Sequence, residues 1–433
     1  MNTKNYFKVA GIILAYPLSY AYIKYVLIDF AGGNEWLKRT VFVIFFALLN
    51  ELIIRGRGRK PHVVTYFWYT VMLAVAATSQ FGISEPVSMF GLHLCALYVA
   101  VLSNGILLEN KTGSFIASDL FNAAFVKPFP GFGKIFMDIF SFRKKKDPNA
   151  IEAGQEPVKK SKSSVLLGLL VILIMIPIFI VAVTLLGQIN KEFGNAVSKV
   201  LSMIDFRLDL QWLVENQFYF FLAVPVCLYL YGLLSKCADS DGERERARCE
   251  RLTRFRMVCR KVSPMLSIII TGCFVLLYLS FFVFEGKYLF SAFGGMLPEE
   301  FTAAEYARRG FFELTGIMFI NMLIFLAISY FENREGKGRK VSSGMIIALM
   351  TESVVFSAIS FSKLALYYSR FGYTPKRLLA IWGTLIFAAG AILVIVSTIR
   401  KKDYSRGWIY FSIISFVAMN ILSSVINLAM GGI

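Results

Sequence analysis

Apolar runs recur along the whole chain, near residues 9–30, 40–54, 62–80, 86–108, 164–187, 217–234, 265–284, 311–331, 343–368, 377–399 and 407–430. Most are close to the roughly 20 residues that an α-helix needs to cross the hydrocarbon core of a bilayer. Inside that core only helices and closed barrels satisfy their own backbone hydrogen bonds. The pattern predicts an all-α integral membrane protein of about eleven transmembrane helices. The longest polar stretch, 109–163, is too short for a sizeable soluble domain. Five parts follow: four helices over 1–108, a loop over 109–163, a helix pair with its outer loop over 164–234, a basic loop over 235–264, and five helices over 265–433.

Two loops depart from plain connectors. Residues 115–142 set Phe115, Phe121, Phe125, Phe129, Phe132, Phe136 and Phe140 among Gly, Pro, Asp and Lys. The segment 132–142 reads as a short amphipathic helix lying in the headgroup region. Residues 144–161 are polar and almost free of large apolar side chains, the composition of a disordered tether. The loop 240–261 contains ERERARCERLTRFRMVCRK. Its spaced Leu252, Phe255 and Val258 among many arginines suit a basic helix at an anionic leaflet.

Composition agrees. Of 433 residues 57% are hydrophobic, mean hydropathy is +0.62, and only 17% are charged, against roughly 25% in soluble proteins. A secreted enzyme and a soluble DNA-binding protein are excluded. The net charge of +18 gains meaning once placed on loops. With a cytoplasmic N-terminus, thirty-three of the 46 lysines and arginines fall on the inner side, and every inner loop is basic. The positive-inside rule thus predicts N-in and C-out. The basic excess is explained by the bilayer and by anionic lipids at the cytoplasmic leaflet, with no nucleic-acid partner. The first run begins with a short basic segment and lacks a small-x-small cleavage site, so it is expected to be an uncleaved anchor.

Catalytic signatures are sparse. His62 and His93 are the only histidines, which excludes a three-His site. HExxH, Walker A and GxSxG patterns are absent. Cys95, Cys227 and Cys273 fall in spans. Cys237, Cys249 and Cys259 share one inner loop without the close pair that structural zinc favours. No catalytic residue, metal or cofactor is assigned, and enzyme activity is not the expected role.

The best lead is charge within the late spans, because a charge at a helix centre costs on the order of 2.5–3.5 kcal/mol on insertion scales. Glu352 lies in the middle of the ninth run and Lys363 eleven residues later. Eleven residues turn about 1100°, within about 20° of three full turns, so both share one face with Phe356 and Ile359. Ser360 sits on the flank, and Arg370 returns to the angle of Glu352. At the mouth of the eighth run, Glu305, Arg309 and Glu313 form a four-residue ladder of alternating sign beside Tyr306. The segment FGYTPKR, 371–377, reads as a tight helix–turn–helix. Gly372 ends one helix with a left-handed conformation, Thr374 caps the next and Pro375 opens it. That turn leaves Tyr367, Arg370 and Arg377 without a structural explanation.

The run YLFSAFGGMLPEEFTAAEYARRGFFEL at 288–314 and the run KLALYYSRFGYTPKRL at 363–378 together resemble a large bacterial family of multi-pass membrane proteins known only as a domain of unknown function. Its signatures are EYARxGFFEL-like and RLxLYxxxFGLTxxR-like. The resemblance covers roughly 264–399, with Lys363 standing where Arg is common and Tyr373 where Leu is common. It implies a class and a likeness of site, with no substrate or reaction.

The combined expectation is a protein of the bacterial cytoplasmic membrane that transports a small or lipid-linked anionic solute. Glu313 and Glu352 are expected to couple protons, and Arg309, Lys363 and Arg370 to meet the solute's charge. Glu305, Tyr306, Ser360, Tyr367 and Arg377 complete the candidate substrate-binding set. The alternatives are a sensor, regulator or assembly factor acting through its basic loops on a protein partner that the sequence leaves unknown, and a membrane-embedded enzyme on a lipid. Two arrangements compete for the charged residues: a static ion-pair network, or the lining of an outward-facing cavity.

Overall fold

The computed structural model describes residues 3–28, 34–103, 115–143, 199, 210–297, 299, 301–335 and 337–430. Among them regular structure is helical, apart from one isolated parallel bridge between Val262 and Glu332. In chain order the helices are α1 (Thr3–Ala21, continued as a π-helix over Tyr22–Ile28), α2 (Glu35–Gly56), α3 (Val63–Thr78) and α4 (Glu85–Leu102). Next come α5 (Ile116–Phe121, continued as π over Asn122–Val126), α6 (Pro128–Gly131), α7 (Lys134–Arg143), α8 (Leu210–Ala238) and α9 (Gly242–Cys259). The last set is α10 (Pro264–Phe284), α11 (Gly286–Phe290, with a 3₁₀ turn over Ser291–Gly294), α12 (Ala303–Phe331), α13 (Arg339–Phe371), α14 (Pro375–Arg400) and α15 (Ser405–Ala429).

Eight helical segments among the described residues are long and apolar enough to cross a membrane: Thr3–Ile28, Glu85–Leu102, Asn216–Ala238, α10, α12, α13, α14 and α15. The chain is therefore a helical membrane protein. The expected second span forms α2 but carries Glu35, Lys38, Arg39, Glu51 and Arg55, and the third forms α3, only 16 residues long. The expected fifth span, 164–187, and the expected tether, 144–161, lie outside the described residues.

The chain divides into two compact units. The first comprises Met1–Tyr69, Leu97–Gly105 and Leu120–Asp239. In it α1 packs on α2 and α8, and α6 packs on α8. Asn50, fully buried, donates to the Tyr69 hydroxyl at 2.7 Å and to Ser103 Oγ at 2.8 Å. Residues 115–142, expected to hold one amphipathic helix, form α5, α6 and α7 with the intervening π turn. Helix α7 buries Ile135 and Asp138 and exposes Met137. Arg57 pairs with Asp138 at 2.5 Å and with Asp239 at 2.7 Å, and Lys134 also reaches Asp239 at 2.7 Å. The Tyr231 hydroxyl donates to Asp138 at 2.8 Å. These bonds fix α7 against α8 and the end of α2.

The second unit comprises Thr70–Ala96, Ile106–Asp119 and Ser240–Ile433. The 33-residue α13 is its centre, packed against α10, α12 and α14, and α15 packs on α14. Its core gathers Tyr278, Leu314, Met318, Leu349, Met350, Phe356 and Ile359. The Phe356 ring lies 4.8 Å from Phe282 and 5.3 Å, edge-on, from Tyr278. Outward faces are apolar: Val283 is 80% and Phe284 85% exposed. Thr271, Asn321, Ser360 and Asn420 are fully buried. Polar inside and apolar outside is the arrangement a lipid solvent selects, because a bare polar group in hydrocarbon is costly. From α15, Asn420 accepts from the Ile83 N–H at 3.0 Å and Asn427 donates to the Phe81 carbonyl at 2.9 Å, holding the turn between α3 and α4. The basic loop forms α9, capped by Asp241, which accepts from the Glu243 N–H at 3.2 Å. Arg248 on α9 pairs with Asp119 on α5.

Candidate functional site

Helix α13 runs without a break from Arg339 to Phe371, so the shared face read from its spacing is real. Glu352, Phe356, Ile359 and Lys363 are all buried. The rise between Glu352 and Lys363 is about 16 Å, and the two sit in different surroundings.

Lys363 is 1% exposed. Its ammonium nitrogen lies 3.6 Å from the centre of the Tyr288 ring on α11 and 4.2 Å from that of Tyr306 on α12. It makes no hydrogen bond and no ion pair among the described residues. The two rings meet edge-on at 5.3 Å, so the amine stands at the corner of an aromatic cradle. The hydroxyl of Tyr306 fixes that cradle, donating to the Tyr288 carbonyl at 2.6 Å and lying 2.7 Å from Ser291 Oγ. Gly310, one turn beyond Tyr306 on the same face, makes room for the lysine stem. A Cβ there would stand 2.5 Å from Lys363 Cδ, well inside van der Waals contact. The Tyr288 hydroxyl is buried without a partner among the described residues, and burial, reinforced by Glu313, pushes its pKa up to about 12.

Arg309 and Glu313 bond to one another at 2.7 Å on the exposed side of α12, at 57% and 48% side-chain exposure. They lie within electrostatic reach of Lys363 without touching it. Arg309 also sits 5.7 Å from the Phe301 ring, and Phe301 packs 5.5 Å from Tyr288. Glu305 is exposed; its backbone N–H donates to the Thr302 cap at 3.2 Å. The pair and the cradle thus form one group at the start of α12, while the expected ladder itself faces outward.

Nearer the middle of α13, Glu352 is 7% exposed and neither carboxyl oxygen has a hydrogen-bond partner among the described residues. Beside it runs a neutral chain. The Tyr278 hydroxyl donates to Asn321 Oδ1 at 2.9 Å, and Asn321 donates to Ser353 Oγ at 2.8 Å. Ser360 is fully buried with its oxygen 3.5 Å from that of Thr384 on α14.

The remaining candidates separate from this group. Residues 368–371, the last turn of α13, are all exposed. Arg370 therefore points outward although its helical angle matches that of Glu352, because the helix outruns the neighbours that would bury it. Arg377 donates to the Phe371 and Gly372 carbonyls at 2.8 and 2.6 Å and stacks 4.2 Å from the Tyr367 ring. Both residues hold the turn between α13 and α14. Within that turn Thr374 accepts from the Arg377 N–H at 3.4 Å and Pro375 opens α14, as expected. Gly372 has positive φ but an extended ψ, 70° and −165°. This is a region almost reserved for glycine and distinct from the left-handed cap expected.

Tyr288, Gly310, Asn321 and Tyr278 do not stand out as functional positions in the sequence alone. The legible signal was Tyr306 with Gly310, a ring and a gap four residues apart on one helical face. A family model described as Domain of unknown function (DUF4153) matches residues 70–430, a wider stretch than the two signature runs. No curated protein and no solved structure matches the chain.

Proposed function

The chain belongs to this DUF4153 family of unknown function, and from that premise we propose that it transports or translocates a small or lipid-linked anionic solute across the bacterial plasma membrane. The observation that carries the reading is the Lys363 ammonium, fully buried and held by two aromatic faces with no carboxylate or carbonyl on it among the described residues. Cation–π contact to desolvated rings is worth about 2 kcal/mol. That is less than the several kcal/mol needed to bury an ion, so an approaching anion gains most of what the cradle leaves unmet. Glu352, buried on the same face and likewise without a partner among the described residues, is the group suited to take and give a proton as the solute moves. Arg309 and Glu313, exposed beside the cradle, form its mouth.

The test is uptake by proteoliposomes holding the full chain, offered a panel of carboxylate, phosphate and lipid-linked phosphate solutes. At least one anion is expected to accumulate. Lys363→Met should reduce its rate more than tenfold at unchanged melting temperature, and Lys363→Arg should keep part of it. A Lys363→Met protein that melts as wild type and transports equally would overturn the reading, as would a panel with no flux at all.

A further inference from the structure

At the end of the second unit opposite the Lys363 cradle, three apolar helices stop or start together. Helix α10 begins at Pro264, α12 ends at Phe331, and α13 begins at Arg339. The connecting backbones are tied. Val262 N–H donates to the Phe331 carbonyl at 3.0 Å, and Asn333 N–H donates to the Val262 carbonyl at 2.9 Å. This short parallel bridge brings the end of α9 against the turn between α12 and α13, and with it Arg256, Arg260, Arg334 and Arg339.

The cluster is cationic, and the ion pairs among the described residues leave three of its four arginines aside. Arg260 has a buried Nε without a hydrogen-bond partner among the described residues. Arg260, Arg334 and Arg339 have no ion pair among the described residues. Arg256 donates to the Ser329 carbonyl at 3.4 Å and sits 5.3 Å over the Tyr330 ring, and Arg339 donates to the Arg334 carbonyl at 2.8 Å. Of the two carboxylates on the same turn, Glu332 accepts from Ser342 at 2.5 Å and Glu335 is exposed. Partial burial of Arg260 first, and the neighbouring guanidiniums next, hold it below the usual arginine range, and the neighbouring guanidiniums act in the same direction on Arg334. An arginine does not give up its proton under these conditions, so an anion bound here would relieve the repulsion.

Which anion follows from the surroundings. Phe255, Val258, Met265, Leu266, Phe331 and Val341, next to the arginines in sequence, are 46% to 62% exposed. A free phosphate needs no apolar apron, whereas a phospholipid brings a phosphate and two acyl chains together. Guanidinium forks match phosphate oxygens bidentately. The level at which three spans end is that of a headgroup.

We infer that Arg256, Arg260, Arg334 and Arg339 form a binding site for the headgroup phosphate of an anionic phospholipid, whose chains lie on the apolar surface around the start of α10. The site is separate from Lys363 and stands whether or not the chain carries a solute.

Native mass spectrometry of the detergent-purified full chain, titrated with phosphatidylglycerol, reads the binding directly, with phosphatidylcholine and inorganic phosphate as parallel arms. Phosphatidylglycerol should bind at least tenfold more tightly than phosphatidylcholine. Arg334→Gln and Arg339→Gln, both at exposed positions that leave the fold intact, should each weaken it several-fold, and the double variant more than tenfold. Arg254→Gln, on the same helix as Arg256 and paired only loosely with Glu250 at 3.9 Å, should leave it unchanged. Equal binding of the two lipids, or of wild type and the double variant, would overturn the inference. So would inorganic phosphate displacing the lipid at comparable concentration, which would mark a site for a free anion.

Discussion

At the scale of single residues, the cradle around Lys363 makes separable demands. The ring of Tyr306 faces the amine, and its hydroxyl bonds to the Tyr288 carbonyl. Tyr306→Phe keeps the first and removes the second, so it should cost about 1 kcal/mol of stability and leave transport largely intact. Tyr288→Leu removes the closer ring and its cation–π attraction of about 2 kcal/mol, so stability and transport should both fall. Gly310→Val forces its new side chain into the lysine stem, an overpacking worth typically about 1–3 kcal/mol. Thermal melts in one detergent, beside the uptake assay, distinguish the three. A pH dependence follows from Tyr288, which stands among Glu313, Arg309, Tyr306 and Glu285 and next to Lys363. Its folded pKa of about 12 lies above the ordinary 10, so folding favours the neutral phenol. That contribution is full below about pH 10 and falls as pH rises toward about 12. Tyr288→Phe should flatten the alkaline end of the stability profile. The inward face of Glu352 and Lys363 was legible because helical angle depends only on spacing within one element. What the lysine would touch was not, because Tyr288 and Gly310 reach it from other helices, and no periodicity sets that register.

At the scale of elements, the turn between α13 and α14 and the ties on α7 carry most of the specificity. Gly372→Ala places a Cβ at φ 70°, ψ −165° and should cost about 1–3 kcal/mol. The capping and N1 roles of Thr374 and Pro375 could be read from sequence because they are local chemistry. Arg377 could not be read so, since its bonds go to the Phe371 and Gly372 carbonyls across the turn. In the first unit, Arg57→Ala leaves Asp138 and Asp239 facing each other's charge beside Tyr231 and Lys134. Breaking a buried pair from one side typically costs about 3–5 kcal/mol. This variant should express poorly or melt early, and Arg57→Ala with Asp138→Asn should recover part of the deficit in a double-mutant cycle.

At the scale of the whole molecule, the alternation of basic and non-basic loops still supports N-in orientation. Reporter fusions after Lys261, Lys340 and Lys402 are expected to report cytoplasm, and an external report from any of them would contradict it. Composition and hydropathy were enough to identify a helical membrane protein, because long apolar runs have few other physical outcomes. They were weaker on the number of spans. Helix α2 is long but studded with charge, and α3 is apolar but short, so each satisfies one half of the criterion.

If Lys363 meets a transported anion, its amine must be open to water at some stage of the cycle, and chemical modification reads that accessibility. Full chain in proteoliposomes would be treated with formaldehyde and borohydride, and the peptide carrying Lys363 followed by mass spectrometry, with the exposed Lys376 as internal reference. The account predicts methylation of Lys363 at a measurable fraction of the Lys376 rate, slowed when a transported anion is present. A Lys363 that stays unmodified while Lys376 is fully converted would show an amine sealed in packing and contradict the claim.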